Sequence, residues 1–290
     1  MASPSKYLPG GLGPLLRPLW RGTRTGISAV QDLGHQATFI GLVLISVPQT
    51  LKRYRRQTSA LLIDMTWGNG SIVVGGGTIG VLGFMGIAVG ASVGIAGFAT
   101  LDMVGMGSLT GFVSAYANTR EMAPMIAAVG FAAQAGCRMT AEIGAMRISE
   151  EIDALEAQGI KSIPFVVTTR VLAGVVIMIP LFLLTLILSY TSCAFLVNVI
   201  HAQSPGIYEH YFDTFIHPTD VVLSLVKAVV FVVLVIAIQC YQGYYAGGGP
   251  EGVGIASGRA IRASLVAIVV IDMVLTLLFW GDSPGVQISG

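Results

Sequence analysis

The residues best suited to polar recognition lie together in one short stretch, 149–164, which reads "SEEIDALEAQGIKSIP". Ser149 can cap the N-terminus of a helix there, and the helix dipole favours acids in the first turn. Gly159 can end that helix, and Pro164 follows it. We therefore predict a short acidic helix at about 149–160. Its four carboxylates are Glu150, Glu151, Asp153 and Glu156.

The same helix is predicted to carry a contact patch. Ile152, Leu155 and Glu156 recur at three- and four-residue spacing, which places them on one helix face. The pattern indicates an apolar patch rimmed by charge, suited to contact with a partner. The alternative is a merely solvated helix within a loop.

Six ionisable residues fall inside or beside long apolar runs. A charge in such a run costs several kcal/mol unless it is paired or hydrated, so each is a functional candidate. Arg138 and Glu142 lie four residues apart on one helix face and are predicted to pair, with a proton relay as the alternative. The six are Arg120, Glu121, Arg138, Glu142, Lys227 and Asp272.

The chain shows partial matches to motifs of nucleotide-binding proteins and hydrolases, but the neighbouring residues that those motifs require are absent. The sequences "GGGTIG" at 75–80 and "GGGPEG" at 247–252 match GxGxxG, but neither follows a predicted strand. No lysine stands in a GxxxxGK[ST] sequence, so ATP, if it is used, binds to another chain. His201, His210 and His217 have no nucleophile elbow near them. They are predicted to lie in a solvated external loop, with a weak metal site as the alternative.

Composition assigns the chain to the membrane proteins. Apolar residues make up 54% of it and charged residues 11%, against about a quarter charged in soluble domains. Lys plus Arg (16) nearly balance Asp plus Glu (15), so charge gives no reason to expect a nucleic-acid partner. The three cysteines, Cys137, Cys193 and Cys240, lie in apolar runs without CxxC spacing and are predicted to be buried free thiols.

Five apolar windows are long enough to cross a bilayer, which requires about 20 helical residues. We therefore predict an all-α transmembrane fold, with the acidic helix between the second and third spans. The first three windows exceed the minimum length, so those helices are expected to tilt, bend or protrude. The predicted spans are about 71–101, 108–144, 165–200, 220–243 and 263–281.

An amphipathic helix is predicted before the spans. Apolar residues recur at three- and four-residue steps through 26–62, which contains the basic sequence "LKRYRRQ" at 51–57. Because such a cluster prefers the anionic cytoplasmic leaflet, the helix is expected to lie in the membrane interface. A sixth span near 37–51 is the alternative, but it is too short by several residues. The predicted parts are an N-terminal segment, 1–66, and a membrane domain, 67–290.

The distribution of Lys and Arg predicts the orientation. The positive-inside rule places the N-terminus and the acidic helix in the cytoplasm and, after five spans, the C-terminus outside. Lys and Arg are absent from 102–119, 201–219 and 282–290, and they are frequent at 52–56, 147–161 and 259–262.

Glycines in the first predicted span recur at every fourth residue. Gly86, Gly90 and Gly94 line up a small surface that another helix can approach closely. Packing within the subunit is one interpretation. The functional interpretation is a lipid path or a dimer interface.

Two regions of the chain resemble the MlaE/YrbE family of ABC-transporter permeases. From Arg120 the chain reads "REMAPMIAAVGFAAQAGCRMTAEIGAMRISEEIDALEAQGI", in which an "AEIG.M" helix end is followed at once by "E.ID.AL…G". The second region, "KAVVFVVLVIAIQCYQGYYAGGGPEGVGIASGRAIRASLVAIVVIDMVLTLLF", is similar to the last two spans of that family and their connecting loop. Together the resemblance covers about 70–281.

The resemblance implies a role for the acidic helix. In the family, the segment after the second span is a cytoplasmic coupling helix that docks in a groove of the ATPase. ATP and Mg then belong to a separate ABC ATPase dimer, and this chain is a non-catalytic subunit that binds no cofactor. By motif match, the coupling residues are Glu150, Glu151, Ile152, Asp153, Ala154, Leu155, Glu156 and Gly159.

Two positions depart from the family pattern. Gln134 stands where many members carry Arg, and Arg138 stands where a small residue is usual. This pattern resembles the B-type permease of paired YrbE systems, which implies a sister A-type permease, MCE-domain proteins and a lipid substrate at the plasma membrane. Gln134 thereby joins the candidate intramembrane polar residues.

Two other classes of function stay open at this point. A secondary transporter would move its substrate by titration of Glu121 and Asp272, with Arg120, in a water-filled path. A scaffold would only anchor partners in the membrane, and lipid movement would then not depend on ATP hydrolysis.

Overall fold

The computed structural model describes residues 34–67 and 77–281. Three parts of the predictions lie outside the described residues: 1–33 of the predicted N-terminal segment 1–66, the start of the first predicted span at 71–76, and the tail 282–290. The chain divides into two compact units, Met1–Ile45 and Ser46–Gly290, and the site lies in the second.

The described residues are helical, with short connections and no strand among them. In chain order, the α-helices are α1 at 34–53, α2 Arg55–Trp67, α3 Gly77–Asp102, α4 Thr110–Val113, α5 Ala123–Phe131, α6 Cys137–Ile148, α7 Glu151–Ala157, α8 Thr169–Val199, α9 Pro205–Phe215, α10 Pro218–Tyr244 and α11 Gly249–Trp280. Three π-helical segments join some of them, at Ser114–Met122, Ala132–Gly136 and Ile163–Thr168.

Within the described residues, four helices are long and apolar enough to cross a membrane. Each overlaps a predicted span. They are Gly77–Asp102, Ile163–Val199, Pro218–Tyr244 and Gly249–Trp280.

The predicted second span, 108–144, is helical but is not one of these four candidates. It forms a run at 107–148 in which α4, α5 and α6 alternate with two π-helical segments, and charged side chains interrupt its apolar sequence. Half of its residues are buried against the neighbouring helices. The five-span topology therefore stays a prediction.

Two regions predicted as connections contain more helix than expected. The last span was predicted from 263, but α11 begins at Gly249, with Pro250 in its first turn and Glu251 beside it. The predicted solvated loop 201–219 contains α9. In both regions a proline in the first helical turn, where an N–H is not needed, allows the helix to start among residues that otherwise favour turns.

The region predicted as an interfacial helix forms two helices, α1 and α2, separated at Tyr54. Its position relative to a membrane stays a prediction. The Tyr54 ring packs edge-on against the Phe165 ring, with 5.3 Å between the ring centroids. The C-terminal end of α2 is held by a hydrogen bond that the Thr78 hydroxyl donates to the Met65 carbonyl at 2.7 Å. The basic residues around Tyr54 are exposed.

The glycine stripe of α3 packs against α8 of the same chain. A Cβ atom at Gly90 would lie 2.0 Å from the carbonyl oxygen of Ser189, and one at Gly86 would lie 2.7 Å from that of Thr185. At Gly94 the corresponding distance, to Cys193, is 3.3 Å. The prediction that these three glycines line a lipid path or a dimer interface is therefore wrong, because an intrachain helix contact already occupies the stripe.

Replacing Gly90 with Ala is expected to destabilise the fold. The new methyl group overlaps the α8 backbone, so the helices must separate, at a cost of about 1–3 kcal/mol. Gly254 is the matched control, because a Cβ atom there meets nothing within 4 Å and Ala should add about 0.4–1 kcal/mol of stability. Thermal unfolding in detergent compares the two, and a Gly90→Ala protein as stable as Gly254→Ala would contradict this packing.

Candidate functional site

The predicted acidic helix forms as α7 and has a well-defined end. Gly159 adopts a left-handed conformation with φ 74°, which an L-residue with a side chain rarely adopts. Its N–H bonds the carbonyl of Glu156 at 2.9 Å, and the N–H of Ile160 bonds that of Leu155 at 3.0 Å. This pair of bonds is the Schellman motif, so the prediction that Gly159 ends the helix is confirmed.

The start of α7 differs from the prediction. Glu150, not Ser149, occupies the N-cap, with a left-handed φ of 60° and no side-chain cap bond. The Ser149 hydroxyl instead lies 2.9 Å from the Ala145 carbonyl, at the end of α6, and 3.0 Å from a Glu151 carboxylate oxygen. The predicted Ser149 cap is wrong because the turn between α6 and α7 is too short to free that residue from α6.

One face of α7 is buried and the other carries its charge. Ile152 is 0% exposed, and Leu155 is half-buried. The expectation that Ile152 belongs to an exposed contact patch is wrong, since this side chain anchors α7 to its own chain. Of the predicted coupling residues, the exposed ones are Glu150, Glu151, Asp153, Ala154, Glu156 and Gly159. The surface available to a partner is therefore acidic.

Polar contacts also hold α7 in place. Arg147 of α6 pairs with Asp153 at 2.7 Å, although both side chains are largely exposed. Glu156 accepts a hydrogen bond from the Ser162 hydroxyl, which lies 2.8 Å from the hydroxyl of Tyr244 at the end of α10. These contacts connect α7 to α6, to the segment before α8 and to α10.

An alternating row of charges, the Arg138 cluster, joins α2, α6 and α8. Arg138 pairs with Glu142 at 2.9 Å, which confirms the predicted pair, and also with Asp64 of α2. Glu142 in turn lies 3.3 Å from Arg170, whose side chain is 8% exposed. The two acids and two bases neutralise each other, so the cluster links three helices without leaving a net charge.

A second and more deeply buried group, the Lys227 cluster, joins the π-helical segment Ser114–Met122 to α10 and α11. Lys227 is 0% exposed; its Nζ lies 3.0 Å from Glu121 and 2.7 Å from Asp272. It also donates to the Arg120 carbonyl at 3.0 Å and to the Thr276 hydroxyl at 2.8 Å. Its ammonium group is thus surrounded by acceptors from three parts of the chain.

The Arg120 side chain extends the Lys227 cluster to the ends of α10 and α11. It pairs with Asp220 at 2.8 Å, and its guanidinium lies over the rings of Tyr116 and Trp280 at 4.0 and 5.1 Å. The Trp280 indole N–H donates to the other Asp220 oxygen at 2.8 Å. Burying any one of these polar groups without its partner would cost free energy, so the pairs stabilise the buried arrangement.

Sequence reasoning found the bases and acids of these clusters only in part. The sequence indicated six of these residues, but Asp64, Arg170 and Asp220 were not among the candidates; the six are Arg120, Glu121, Arg138, Glu142, Lys227 and Asp272. A signal was available for Asp220, because an acid in the first turn of a helix that begins with Pro218 is a common start. No sequence pattern indicates that Asp64 meets Arg138, 74 residues away.

Other predicted site residues do not join these clusters. Gln134 is exposed in the π-helical segment Ala132–Gly136.

Cys193 and Cys240 are buried and Cys137 is partly buried, all three as free thiols, as predicted. Tyr208 in α9 is 4% exposed, and burial raises the pKa of its hydroxyl. Among the described residues, no three His, Cys, Asp or Glu side chains are placed to hold a metal ion.

A family model described as "Permease MlaE" matches residues 69–278, well over half of the chain. The chain belongs to the MlaE permease family. The match contains α3 to α10, among them α7, and most of α11. It also contains the residues of both clusters except Asp64 and Trp280.

Two relatives of this MlaE-family chain are similar to it over somewhat more than half of its length. A "Probable ABC transporter permease protein" of Rickettsia bellii is 33% identical over 171 residues, 56% of this chain and 62% of the relative. The chloroplastic protein TRIGALACTOSYLDIACYLGLYCEROL 1 of Arabidopsis thaliana is 32% identical over 183 residues, 62% and 52% of the two chains. The chain thus spans less than two thirds of the length of these relatives.

A further relative is similar over nearly its whole length. The "Intermembrane phospholipid transport system permease protein MlaE" of Haemophilus influenzae is 26% identical over 256 residues, 88% of this chain and 94% of the relative.

Removing the Lys227 ammonium from this MlaE-family chain should be costly. Lys227→Met leaves Glu121 and Asp272 without their buried counter-charge, which should lower the free energy of unfolding by about 3–5 kcal/mol. Lys52→Met, at an exposed position of α1, should change it by less than about 0.5 kcal/mol. Equal thermal stability of the two variants in detergent would contradict the assignment of Lys227 as a structural ion.

Proposed function

We propose that this chain is the membrane-spanning permease subunit of an ATP-driven lipid transporter, and that α7 is its contact with the ATPase. The observation that carries the proposal is α7 itself. It is a short helix with a defined end, anchored by Ile152 on one side and exposing carboxylates on the other. Family membership and the names of the relatives support the same function.

ATP hydrolysis is assigned to a separate ABC ATPase dimer. The sequence contains no GxxxxGK[ST] loop, so the chain lacks the lysine-bearing phosphate loop of such enzymes. ATP and Mg therefore bind to the partner in this proposal. Because the exposed side of α7 is acidic, its docking groove on the ATPase should present basic side chains.

The remaining parts of the proposal follow the family and the distribution of basic residues. The N-terminus and α7 lie in the cytoplasm, five spans cross the plasma membrane, and the C-terminus lies outside. Gln134 and Arg138 support a B-type permease that dimerises with a sister A-type permease and works with MCE-domain proteins outside the membrane. Lipid passes between the membrane and that MCE assembly.

The last span is the proposed wall of the lipid path. Since α8 covers the glycine stripe of α3, the glycines are unavailable for this role. By contrast, α11 exposes a broad apolar face that suits an acyl or sterol group. Its exposed residues include Val266, Val269, Val270, Met273, Leu277 and Leu278. Closure of the ATPase pair moves α7, and the spans rearrange to load or release lipid at the dimer interface.

Charge reversal on α7 tests the ATPase contact. Glu151→Lys with Asp153→Lys should weaken ATPase retention at least tenfold, because like charges then face each other across the groove. The fold should survive, since the exposed Arg147–Asp153 pair contributes little stability. Retention is measured by co-purification in mild detergent and by titration of the purified ATPase.

The matched control reverses two exposed acids of α9, Glu209→Lys with Asp213→Lys. It makes the same change in charge on a helix that the proposal does not assign to the ATPase. Full ATPase retention by the α7 variant, or equal loss in the α9 variant, would contradict the proposed contact.

The whole assembly is tested by recovering this chain from its native membrane in mild detergent and identifying the retained proteins by mass spectrometry. The proposal expects a Walker-A ATPase, a second permease and MCE-domain proteins. Recovery of this chain alone, from a preparation shown to preserve other complexes, would overturn it. Lipid movement that is independent of ATP hydrolysis would favour a scaffold.

The Lys227 cluster bears on the secondary-transporter alternative, because Glu121 and Asp272 are engaged with one buried ammonium group. Asp272→Asn keeps an acceptor for Lys227 and leaves Glu121 as its counter-charge. ATP-dependent lipid transfer in proteoliposomes of native lipids should therefore change less than about twofold, since a neutral amide preserves the hydrogen bond. Loss of transfer in an assembled complex would favour titration-driven transport.

A further inference from the structure

The contact between α7 and α10 joins residues that are far apart in the chain. Tyr244 is the last residue of α10, and its hydroxyl lies 2.8 Å from Ser162 Oγ and 3.4 Å from a carboxylate oxygen of Glu156. The Ser162 hydroxyl has one hydrogen, which it donates to the Glu156 carboxylate, so the shorter contact of the Tyr244 hydroxyl is a bond that Tyr244 donates to Ser162. Ser162 is 4% exposed, which shields the middle of this chain of bonds from water.

The end of α10 is itself held firmly. A Cβ atom at Gly243 would lie 2.8 Å from the Thr140 carbonyl oxygen, so α10 touches the α6 backbone directly before Tyr244. One turn earlier, Gln239 accepts a hydrogen bond from Thr140 through its carbonyl at 3.0 Å and donates one to Ser264 of α11 at 3.3 Å. A displacement of Tyr244 therefore acts on a helix end that is packed against both α6 and α11.

The first half of α10 carries the Lys227 cluster. Lys227 lies 17 residues before Tyr244, about 25 Å along a helix with a rise of 1.5 Å per residue. The helix between them is uninterrupted. One rigid element thus extends from the α7 contact to the buried ion pairs.

We infer that Tyr244 is a positioning residue that fixes α7 to α10 through Ser162 and Glu156, so that a movement of α7 is passed to α10. The inference rests on the proposed function of α7 as the ATPase contact. Tyr244 does not touch the ATPase or the lipid in this scheme. It acts by keeping the acidic helix and the span in one fixed geometry.

The contact is tested first on the chain alone, in lipid nanodiscs, by hydrogen–deuterium exchange. Tyr244→Phe and Ser162→Ala should each raise exchange of the amides at 151–160 about tenfold, the scale of one hydrogen bond to a charged group. Tyr211→Phe, which removes the same hydroxyl in α9, should leave exchange at 151–160 unchanged. Unchanged exchange in Tyr244→Phe would overturn the inference.

A double variant separates action through Glu156 from a general loosening. If Tyr244 acts through that carboxylate, Tyr244→Phe should add no further exchange in a Glu156→Ala background, which removes the acceptor altogether. Additive effects of the two substitutions would instead show that Tyr244 stabilises α7 by another route, and they would overturn the inference.

The second test uses the complex with its ATPase, with and without ATP and vanadate. In the unaltered protein, trapping should change exchange both at 151–160 and at the α10 end, 240–246. In Tyr244→Phe the first change should persist with the ATPase still bound, and the second should fall at least fivefold. An α10 response equal to that of Tyr211→Phe would overturn the inference. Failure of the unaltered chain to retain an ATPase overturns the proposed function instead, and the nanodisc experiment then still decides whether the contact exists.

Discussion

The structure depends on keeping a buried ammonium group satisfied within an otherwise apolar bundle. Lys227 is fully buried, and an unpaired charge at such a site would cost many times the stability that any single apolar contact provides. Its partners come from the run 107–148 and from α11, so both must approach α10 for the charge to be tolerated. The ion pairs therefore fix the relative positions of three helices that apolar contacts alone would leave free to slide. Arg120 and Asp220 repeat the same arrangement toward the ends of α10 and α11.

A different constraint governs the packing of α3 and α8. Their backbones approach so closely at Gly90 that a single methyl group cannot be accommodated without movement. Small residues at every fourth position of α3 allow this approach along several turns. This face of α3 therefore packs against α8 of its own subunit and is not available to a ligand or a partner. In the proposed transporter, the apolar surface for lipid or for a second permease is the broad exposed face of α11.

The acidic helix α7 combines rigidity with exposure. Ile152 anchors it, the left-handed residues Glu150 and Gly159 set its ends, and the contact through Ser162 joins it to Tyr244. A loop with the same charges could bind a partner, but it could not pass on a displacement, since its own conformations would absorb the movement. A short helix held at both ends can do both. This is the physical reason why an acidic segment between two long apolar regions is suited to join an ATPase to a membrane domain.

The sequence alone determined the features that depend on residues near one another along the chain. The approximate places of four of the five predicted spans follow from the length of apolar runs, the Gly159 helix end from a single residue type, and the Arg138–Glu142 pair from spacing on one helix face. Tertiary structure decided which faces meet. It turned Ile152 inward, placed α8 on the glycine stripe, and brought Asp64 to Arg138 and Tyr244 to Ser162. Helical periodicity encodes a direction around one axis, whereas a contact between helices also requires their crossing angle and axial offset, which only the packing of the whole bundle sets.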